Sequence, residues 1–203
     1  MARCFEKHRN INMINDYVKK ITKYYADSLS ALDSYKKVKW GSKDSQEIRF
    51  KIITEISPSI FNCKVLDYGC GIGDLCTFLE LRSFSGEYSG YDLLLQMIEE
   101  AKKRHPAYCF SDNISQSNFD FVVSSGIFTL STTQEMYAEI QKMFGLCFKG
   151  VVFNSLSSWA PNKEEGEFYA DPLKTVDFCR TLSPKVVLRH DYMPHDFTVY
   201  MYK

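Results

Sequence analysis

One stretch of the chain decides its fold: Val65-Leu66-Asp67-Tyr68-Gly69-Cys70-Gly71-Ile72-Gly73-Asp74-Leu75. Its first residues are a short apolar run of the kind that forms a buried β-strand. Three alternate glycines follow, and glycine lets the backbone turn sharply and approach a ligand because it has no Cβ. The pattern from about Asp74 predicts a helix. The stretch therefore predicts a strand–loop–helix unit that holds a ligand beyond the carboxyl end of its strand.

The loop sequence argues against the common phosphate sites. A P-loop ends in Gly-Lys-Ser/Thr, and a dinucleotide fingerprint reads Gly-x-Gly-x-x-Gly, whereas the third glycine here comes one residue early. A pyrophosphate favours free N–H groups and positive potential, but two carboxylates, Asp67 and Asp74, flank this loop. The loop therefore predicts a ligand with a cationic ammonium or sulfonium group and no phosphate. An NAD-dependent oxidoreductase is the disfavoured alternative.

Strand and helix patterns alternate along the chain from Cys63 onward. This alternation predicts an α/β, doubly wound, mainly parallel sheet with helices on both faces. The connection before the final strand is too short for a parallel crossover, so the last strand is predicted to run antiparallel. The β-rich runs of this seven-stranded sheet are 64–68, 88–92, 108–110, 119–123, 150–154, 185–190 and 197–202.

Residues 1–60 predict an N-terminal helical extension or lid on a core of residues 61–203, within a single domain 1–203. Its first helix carries an apolar stripe at three- and four-residue spacing, which comprises Ile11, Ile14, Val18, Ile21 and Tyr25. A second helix is predicted from Asp44 to Ser57, with Ile48, Ile52 and Ile56 on its apolar face. Two later helix starts are marked by a capping box at Thr132-Thr133-Gln134-Glu135 and by Asp171-Pro172.

Composition narrows the class of protein. The chain has 203 residues, 25 basic against 25 acidic side chains and 45% apolar residues, which suits one soluble domain. The zero net charge disfavours a broad nucleic-acid or membrane surface. Residues 1–8 lack the apolar core of a secretory signal, and no apolar run reaches about 20 residues, so neither a signal nor a membrane span is expected. None of the seven cysteines forms a Cys-x-x-Cys pair, so no metal site and no disulfide framework is predicted, and a cytoplasmic location is expected.

The chain from about Trp40 onward resembles the class I, seven-strand family of S-adenosylmethionine-dependent methyltransferases. Four features in the expected order carry the resemblance, each at the carboxyl end of a predicted strand. They are the Asp67-x-Gly69-x-Gly71-x-Gly73 loop, Asp92 followed by Leu93-Leu94, Asp112, and the segment Ser124-Ser125-Gly126-Ile127-Phe128. The resemblance implies that S-adenosylmethionine is the cofactor, that Asp92 takes both ribose hydroxyls and that Asp112 receives the adenine amino group.

Nine residues make up the predicted cofactor site: Arg49, Asp67, Gly69, Cys70, Gly71, Asp92, Leu93, Asp112 and Ser124. Several of them have a plainer explanation. Asp92 could cap the following helix, Asp112 could belong to a polar turn, and Leu93 could be a core residue. Arg49 could extend to solvent, pair with a protein carboxylate, or bind the carboxylate of the ligand. Asp67 organises the loop in either case.

The catalytic and substrate residues are predicted near the last strands. His190 and His195 are the candidate bases, and each is followed by an aspartate, which suggests a base with an orienting carboxylate. The segment from Ser155 to Asp171 follows a strand's carboxyl end and is predicted to recognise the substrate. The predicted substrate-binding residues are Phe128, Trp159, Tyr169 and Tyr192.

The acceptor is predicted to be a small molecule that is methylated on oxygen or nitrogen. The neutral charge and the absence of a basic extension disfavour RNA, whose binding draws on phosphate contacts. Two alternatives stay open: a nucleic-acid or protein methyltransferase, and a non-catalytic protein that binds S-adenosylmethionine.

Overall fold

The computed structural model describes residues 18–28, 30–115 and 118–203, and a seven-stranded sheet forms its centre. The strands in chain order are β1 (Lys64–Tyr68), β2 (Glu87–Tyr91), β3 (Cys109–Ser111), β4 (Phe119–Ser124), β5 (Cys147–Leu156), β6 (Val186–Arg189) and β7 (Asp196–Tyr202). Their order across the sheet is β3-β2-β1-β4-β5-β7-β6. Strands β1 to β5 are parallel, and β7 runs antiparallel to both β5 and β6. The predicted sheet, with its antiparallel last strand, is confirmed.

Helices alternate with these strands. Residues 18–25 are helical (α1), and the helices that follow are α2 (Ser34–Lys37), α3 (Lys43–Thr54), α4 (Asp74–Glu80), α5 (Leu95–Arg104), α6 (Thr133–Gly145) and α7 (Pro172–Leu182). Thr132 and Glu135 close the predicted capping box of α6. Asp171 caps α7 by accepting hydrogen bonds from the amides of Leu173 and Lys174.

Two compact units divide the described chain. One comprises the described residues up to Lys43, and the other comprises Asp44–Lys203. Most of α3 therefore belongs with the sheet, whereas the sequence predicted that the core begins at residue 61. The reason is that α3 buries Phe50, Ile52 and Ile53 in the core of the larger unit. Of the predicted first stripe, Ile11 and Ile14 lie outside the described residues.

The larger unit has an apolar layer on each face of the sheet. Helices α3, α4 and α5 cover one face, and helices α6 and α7 cover the other. The predicted stripe of α3 is partly wrong, because Ile48 is 40% exposed while Ile52 and Ile56 are buried. The α3 sequence has apolar residues at 48, 50, 52, 53 and 56, which allow more than one face. The face that is buried also contains Gln46 and Arg49.

The described cysteines are Cys63, Cys70, Cys76, Cys109, Cys147 and Cys179, and all of them are free thiols. Within the described ranges, no helix combines the length and the apolar character that crossing a bilayer requires.

Strand direction gathers the polar loops at one edge of the sheet. Strands β1 to β6 point the same way, so their carboxyl ends meet there, and β7 begins at the same edge, where Asp196 pairs with Leu156. In open α/β sheets this edge is where ligands bind. We call it the carboxyl edge.

Candidate active site

The loop after β1 adopts a conformation that requires glycine. Gly69, Gly71 and Gly73 have φ values of 84°, 52° and 82°, in the left-handed region that side chains disfavour. A Cβ on Gly69 would also lie 2.2 Å from Cγ2 of Ile127. The loop therefore turns tightly against the segment that follows β4.

The amides of this loop are already hydrogen-bonded within the protein. The N–H groups of Gly69 and Cys70 both donate to the carbonyl of Tyr91, at 2.7 and 2.9 Å. The Gly73 N–H donates to the Cys70 carbonyl at 3.0 Å, and the Gly71 N–H donates to Asp92. A phosphate-binding loop keeps such groups free. The geometry thus supports the predicted ligand without phosphate.

Asp92 follows β2 and connects two neighbouring segments. Its Oδ2 accepts from Gly71 N–H and its Oδ1 from Leu94 N–H, each at 2.9 Å. Leu94, and not Asp92, is the N-cap of α5, although Asp92 satisfies the amide of that residue. A carboxylate has about four acceptor positions, and the backbone amides of Gly71, Leu93 and Leu94 do not use all of them. Partial burial raises the pKa of Asp92, and the hydrogen bonds from Leu94 and Gly71 oppose that rise.

Asp67 is a buried carboxylate directly beneath the loop. It is 3% exposed and accepts a hydrogen bond from the Tyr88 hydroxyl at 2.6 Å. Burial raises its pKa to about 7; the Tyr88 hydrogen bond opposes that rise, and the charges of Asp92 and Asp74 add to it. Near neutral pH this carboxyl is therefore poised to lose its proton when a cation binds nearby.

Asp74, the second predicted flanking carboxylate, is neutralised by the protein. Arg104 Nη1 lies 2.8 Å from its Oδ1, and Gln46 Nε2 donates to its Oδ2 at 3.0 Å. The negative charge at the loop therefore comes from Asp67 and Asp92. Arg104 was not among the predicted site residues, because its contact with Asp74 joins helices that are far apart in sequence.

Arg49 lies on α3 and forms a buried ion pair with Asp196 at the start of β7. Its Nη1 donates to the Ser45 carbonyl at 3.0 Å, and its Nη2 lies 3.4 Å from Nε2 of His195. Burial raises the pKa of Asp196 to about 6, and Arg49 opposes that rise. Burial and the adjacent Arg49 lower the pKa of His195. Of the options for Arg49, the protein salt bridge is the one formed.

His190 lies at the end of β6, and its Nε2 is 2.7 Å from the hydroxyl of Ser157. The indole of Trp159 packs against the imidazole with ring centroids 5.0 Å apart, and this indole is 51% exposed. Ser157 is fully buried, and its hydroxyl also accepts a hydrogen bond from the backbone N–H of Trp159 at 3.1 Å. These three residues form a group that we call the His190 cluster.

The predicted pairing of each histidine with the following aspartate is wrong. Asp191 pairs with Arg189 at 2.7 Å, and Asp196 pairs with Arg49. Each carboxylate therefore pairs with a guanidinium group and does not orient the neighbouring imidazole. The orienting group of His190 is the hydroxyl of Ser157, which the sequence pattern did not identify.

Two polar residues fix the segment after β4. The Ser124 hydroxyl is buried and donates to the Tyr68 carbonyl at 2.7 Å. Asn154 on β5 accepts from Gly126 N–H at 2.9 Å and donates to Ser125 Oγ at 3.0 Å. Asn154 is 2% exposed, and its role in holding this segment was not predicted from the sequence; an asparagine near the end of a mostly apolar strand was the available signal.

The other predicted cofactor residues lie around the loop. Cys70 is buried, Leu93 is half-buried, and Asp112 is exposed just after β3. The turn at Asp112 contains a hydrogen bond from Asn113 N–H to Ser111 Oγ at 3.1 Å, so the polar-turn explanation holds locally. The carboxylate of Asp112 is open to solvent beyond the same edge that carries Asp92.

The predicted substrate residues are not brought together. Phe128 is 1% exposed and packs edge-on against Phe153 in the core. Tyr192 packs against the core layer under α3 and lies 2.8 Å from Thr198 Oγ1. Tyr169 lines a cavity of about 200 Å³ between α6, α7 and the segment after β5. Of the four, Trp159 is the residue that the structure places beside a candidate base.

Comparison with curated proteins finds a relative along most of the chain. This Mycobacterium tuberculosis protein, named "Putative methyltransferase Rv1506c", is 31% identical over 167 residues, which cover 75% of this chain and 98% of that protein. No family model matches the chain.

Solved methyltransferases share the fold. Magnesium protoporphyrin IX methyltransferase of Synechocystis PCC 6803, solved with S-adenosylhomocysteine, has a TM-score of 0.61 at 12% identity and covers 95% of this chain and 99% of that one. The N-methyltransferase NodS of Bradyrhizobium japonicum WM9 has a TM-score of 0.61 at 14% identity, covering 81% and 99%. The Pnkp1/Rnl/Hen1 RNA repair complex has a TM-score of 0.64 at 16% identity, covering 79% and 42%. At these identities the likeness concerns the fold.

Proposed function

Because the chain belongs to the class I S-adenosylmethionine-dependent methyltransferases, we propose that it methylates an oxygen or nitrogen atom of a small-molecule acceptor. The observation that carries this proposal is the His190 cluster at the carboxyl edge. It places a candidate base under a half-exposed indole, next to the segment that follows β5.

The residues of the carboxyl edge fit the cofactor. The Asp92 carboxylate would accept the ribose hydroxyls, and hydrogen bonds to a carboxylate are about twice as strong as neutral ones. Asp67 supplies negative potential under the loop for the cationic end, and the glycines allow close approach. Cys70, Leu93, Asp112 and Ser124 stay candidate contacts around the nucleoside. When bound, S-adenosylmethionine supplies an activated methyl group, so the protein mainly aligns the reactants and excludes water.

The segment between Trp159 and Tyr169 favours a small acceptor over a nucleic acid. It carries Glu164, Glu165 and Glu167 against the single cation Lys163. An exposed acidic segment next to the His190 cluster would repel phosphates, and phosphate contacts dominate nucleic-acid affinity. The Trp159 indole offers a flat apolar surface for an aromatic or heteroaromatic acceptor.

His190 is a better candidate base than His195. Nε2 of His195 faces the Arg49 guanidinium, so it acts as a hydrogen-bond acceptor there, and the cation lowers its basicity. His190 can donate from Nε2 to Ser157, which leaves a lone pair on Nδ1 for the proton of the acceptor. This assignment of the tautomer is part of the proposal.

The acceptor class is tested with S-adenosylmethionine that carries an isotopically labelled methyl group. Incorporation of the label is measured in three separate acceptor pools: small phenols and amines, RNA, and peptides. We expect label in the small-molecule pool. Label confined to RNA or peptides would contradict the acceptor class, and tight cofactor binding without any turnover would favour the non-catalytic alternative.

Once an acceptor is found, His190→Ala is expected to lower kcat by about a hundredfold or more, the usual contribution of a general base. His195→Ala is the matched control and should lower kcat by less than about tenfold, because that imidazole is held by Arg49. Both variants should bind S-adenosylhomocysteine with unchanged affinity. Equal losses of kcat in the two variants would contradict the assignment.

The raised pKa of Asp67 predicts a pH effect on cofactor affinity. A carboxyl whose pKa is about 7 is charged above that pH and neutral below it. Affinity for S-adenosylmethionine should therefore fall by about tenfold as the pH drops from about 8 to about 6. The affinity is measured by calorimetric titration at each pH for the wild type and for Asp67→Asn. Ionisation of the ligand affects both proteins equally, so the difference between the two pH profiles reports the ionisation of Asp67. Identical pH profiles in both proteins would exclude this role for Asp67.

A further inference from the structure

We propose that Cys76, Glu80 and His105 form a binding site for a zinc-type divalent metal ion behind the glycine loop. One ligand atom from each residue, Sγ, a carboxylate oxygen and an imidazole nitrogen, lies within 4.8 Å of the others. No comparison or family resemblance assigns this group a role. It lies apart from the His190 cluster, and the proposal does not depend on the acceptor.

The geometry comes close to that of a bound ion. Cys76 and Glu80 are one helical turn apart on α4, so they share a face, and His105 follows the last residue of α5. A tetrahedral zinc ion with bond lengths of about 2.0–2.3 Å holds two ligand atoms about 3.3–3.8 Å apart. Closing the group therefore needs shifts of up to about 1 Å, to which the half-exposed Glu80 side chain can contribute.

The imidazole is already oriented for ligation. Nε2 of His105 lies 3.2 Å from Thr77 Oγ1, and Nδ1 lies 3.2 Å from Glu80 Oε2. When Nε2–H donates to Thr77, the Nδ1 lone pair faces the Glu80 carboxylate, which is the arrangement in which both atoms can bind one ion; with the proton on Nδ1 instead, the pair is a hydrogen bond. A ligating histidine usually donates its other N–H to a hydrogen-bond acceptor.

The surroundings suit a mixed sulfur, nitrogen and oxygen site. Cys76 is 1% and His105 7% exposed, so the ion would be shielded, and the Glu80 side chain marks the way in from solvent. Three protein ligands leave a fourth position for water. The neighbouring cation Arg104 is already engaged by Asp74 and by the Ile72 carbonyl.

An ion here would stiffen the cofactor loop from behind. Gly73 is the N-cap of α4, and a Cβ on it would lie 2.8 Å from Cδ2 of His105. The metal would therefore join α4, through Cys76 and Glu80, to the end of α5. Cysteine spacing did not indicate this site, because the third ligand comes from a different helix.

The test is titration of the metal-stripped full chain with cobalt(II) chloride, followed by optical spectroscopy, and with zinc chloride in competition with a chromophoric chelator. We expect one ion per chain and a thiolate-to-cobalt charge-transfer band. Cys76→Ser should abolish the band and weaken zinc binding by at least about a hundredfold. Cys109→Ser is the matched control, since Cys109 is exposed on β3, and it should behave as the wild type.

Glu80→Gln provides a second variant that is expected to fold, because this side chain is half-exposed. It should weaken zinc binding by at least about tenfold, with an unchanged thermal unfolding midpoint in the absence of metal. The absence of the charge-transfer band in the wild type would overturn the proposal and leave His105 and Glu80 as a simple hydrogen-bonded pair. Loss of the band in Cys109→Ser but not in Cys76→Ser would overturn it equally.

Discussion

Asp92→Ala is expected to lower the affinity for S-adenosylhomocysteine by about a hundredfold or more, as measured by calorimetry. The variant loses the carboxylate that would accept both ribose hydroxyls, and each hydrogen bond to a charged group contributes about 1.5–3 kcal/mol. Two such bonds correspond to at least two powers of ten, since 1.4 kcal/mol is a factor of ten. Asp177→Ala is the matched control, because Asp177 is an exposed carboxylate on α7, and its affinity should equal that of the wild type.

Asp92 also holds the amides of Gly71 and Leu94, so a second measurement must separate ribose contact from loop organisation. The wild type should bind adenosine more tightly than 2′-deoxyadenosine, and Asp92→Ala should bind the two equally. A variant that keeps the preference for adenosine would show that the ribose is held elsewhere. Thermal unfolding of each protein verifies that the fold is intact.

Arg49→Met is expected to lower the free energy of unfolding by about 3–5 kcal/mol, the usual cost of removing one partner of a buried ion pair. Asp196 is 2% exposed, and its Oδ1 makes no hydrogen bond among the described residues, so the remaining carboxylate would be uncompensated. Urea denaturation measures the loss. Arg180→Met is the control, because Arg180 is an exposed arginine on α7, and this change should cost little.

The pH dependence of this loss has a definite sign. The pKa of Asp196 is raised to about 6 in the folded protein, and removing the Arg49 cation raises it further. As the pH falls through this range, Asp196 takes up a proton and the uncompensated charge disappears. The stability gap between wild type and Arg49→Met should therefore narrow from about pH 8 to about pH 5. The double variant Arg49→Met/Asp196→Asn should recover part of the stability; a gap that widens at low pH would contradict the ion-pair explanation.

Local signals predicted much of the fold and the loop. The glycines after β1, the capping box at Thr132 and the cap at Asp171 act over a few residues, and each lies where the sequence placed it. The antiparallel β7 followed from the length of one connection. These features could be predicted because their physical causes lie within short stretches of chain.

Long-range pairing could not be predicted in the same way. The Asp67–Tyr88, Asp74–Arg104 and Arg49–Asp196 contacts join elements that meet after the sheet has formed. Their positions next to histidines in the sequence suggested instead that Asp191 and Asp196 orient those histidines. In the structure both carboxylates form ion pairs with arginines. Ile48 was placed on the wrong face because the apolar residues of α3 fit more than one helical stripe.

The most direct measurement is a crystal structure of the chain with S-adenosylhomocysteine at saturating concentration. The ribose hydroxyls should lie about 2.5–2.7 Å from the carboxylate oxygens of Asp92, with the amino-acid end of the ligand over the glycine loop above Asp67. A ligand bound away from the carboxyl edge, or a carboxyl edge that stays empty at that concentration, would contradict the account.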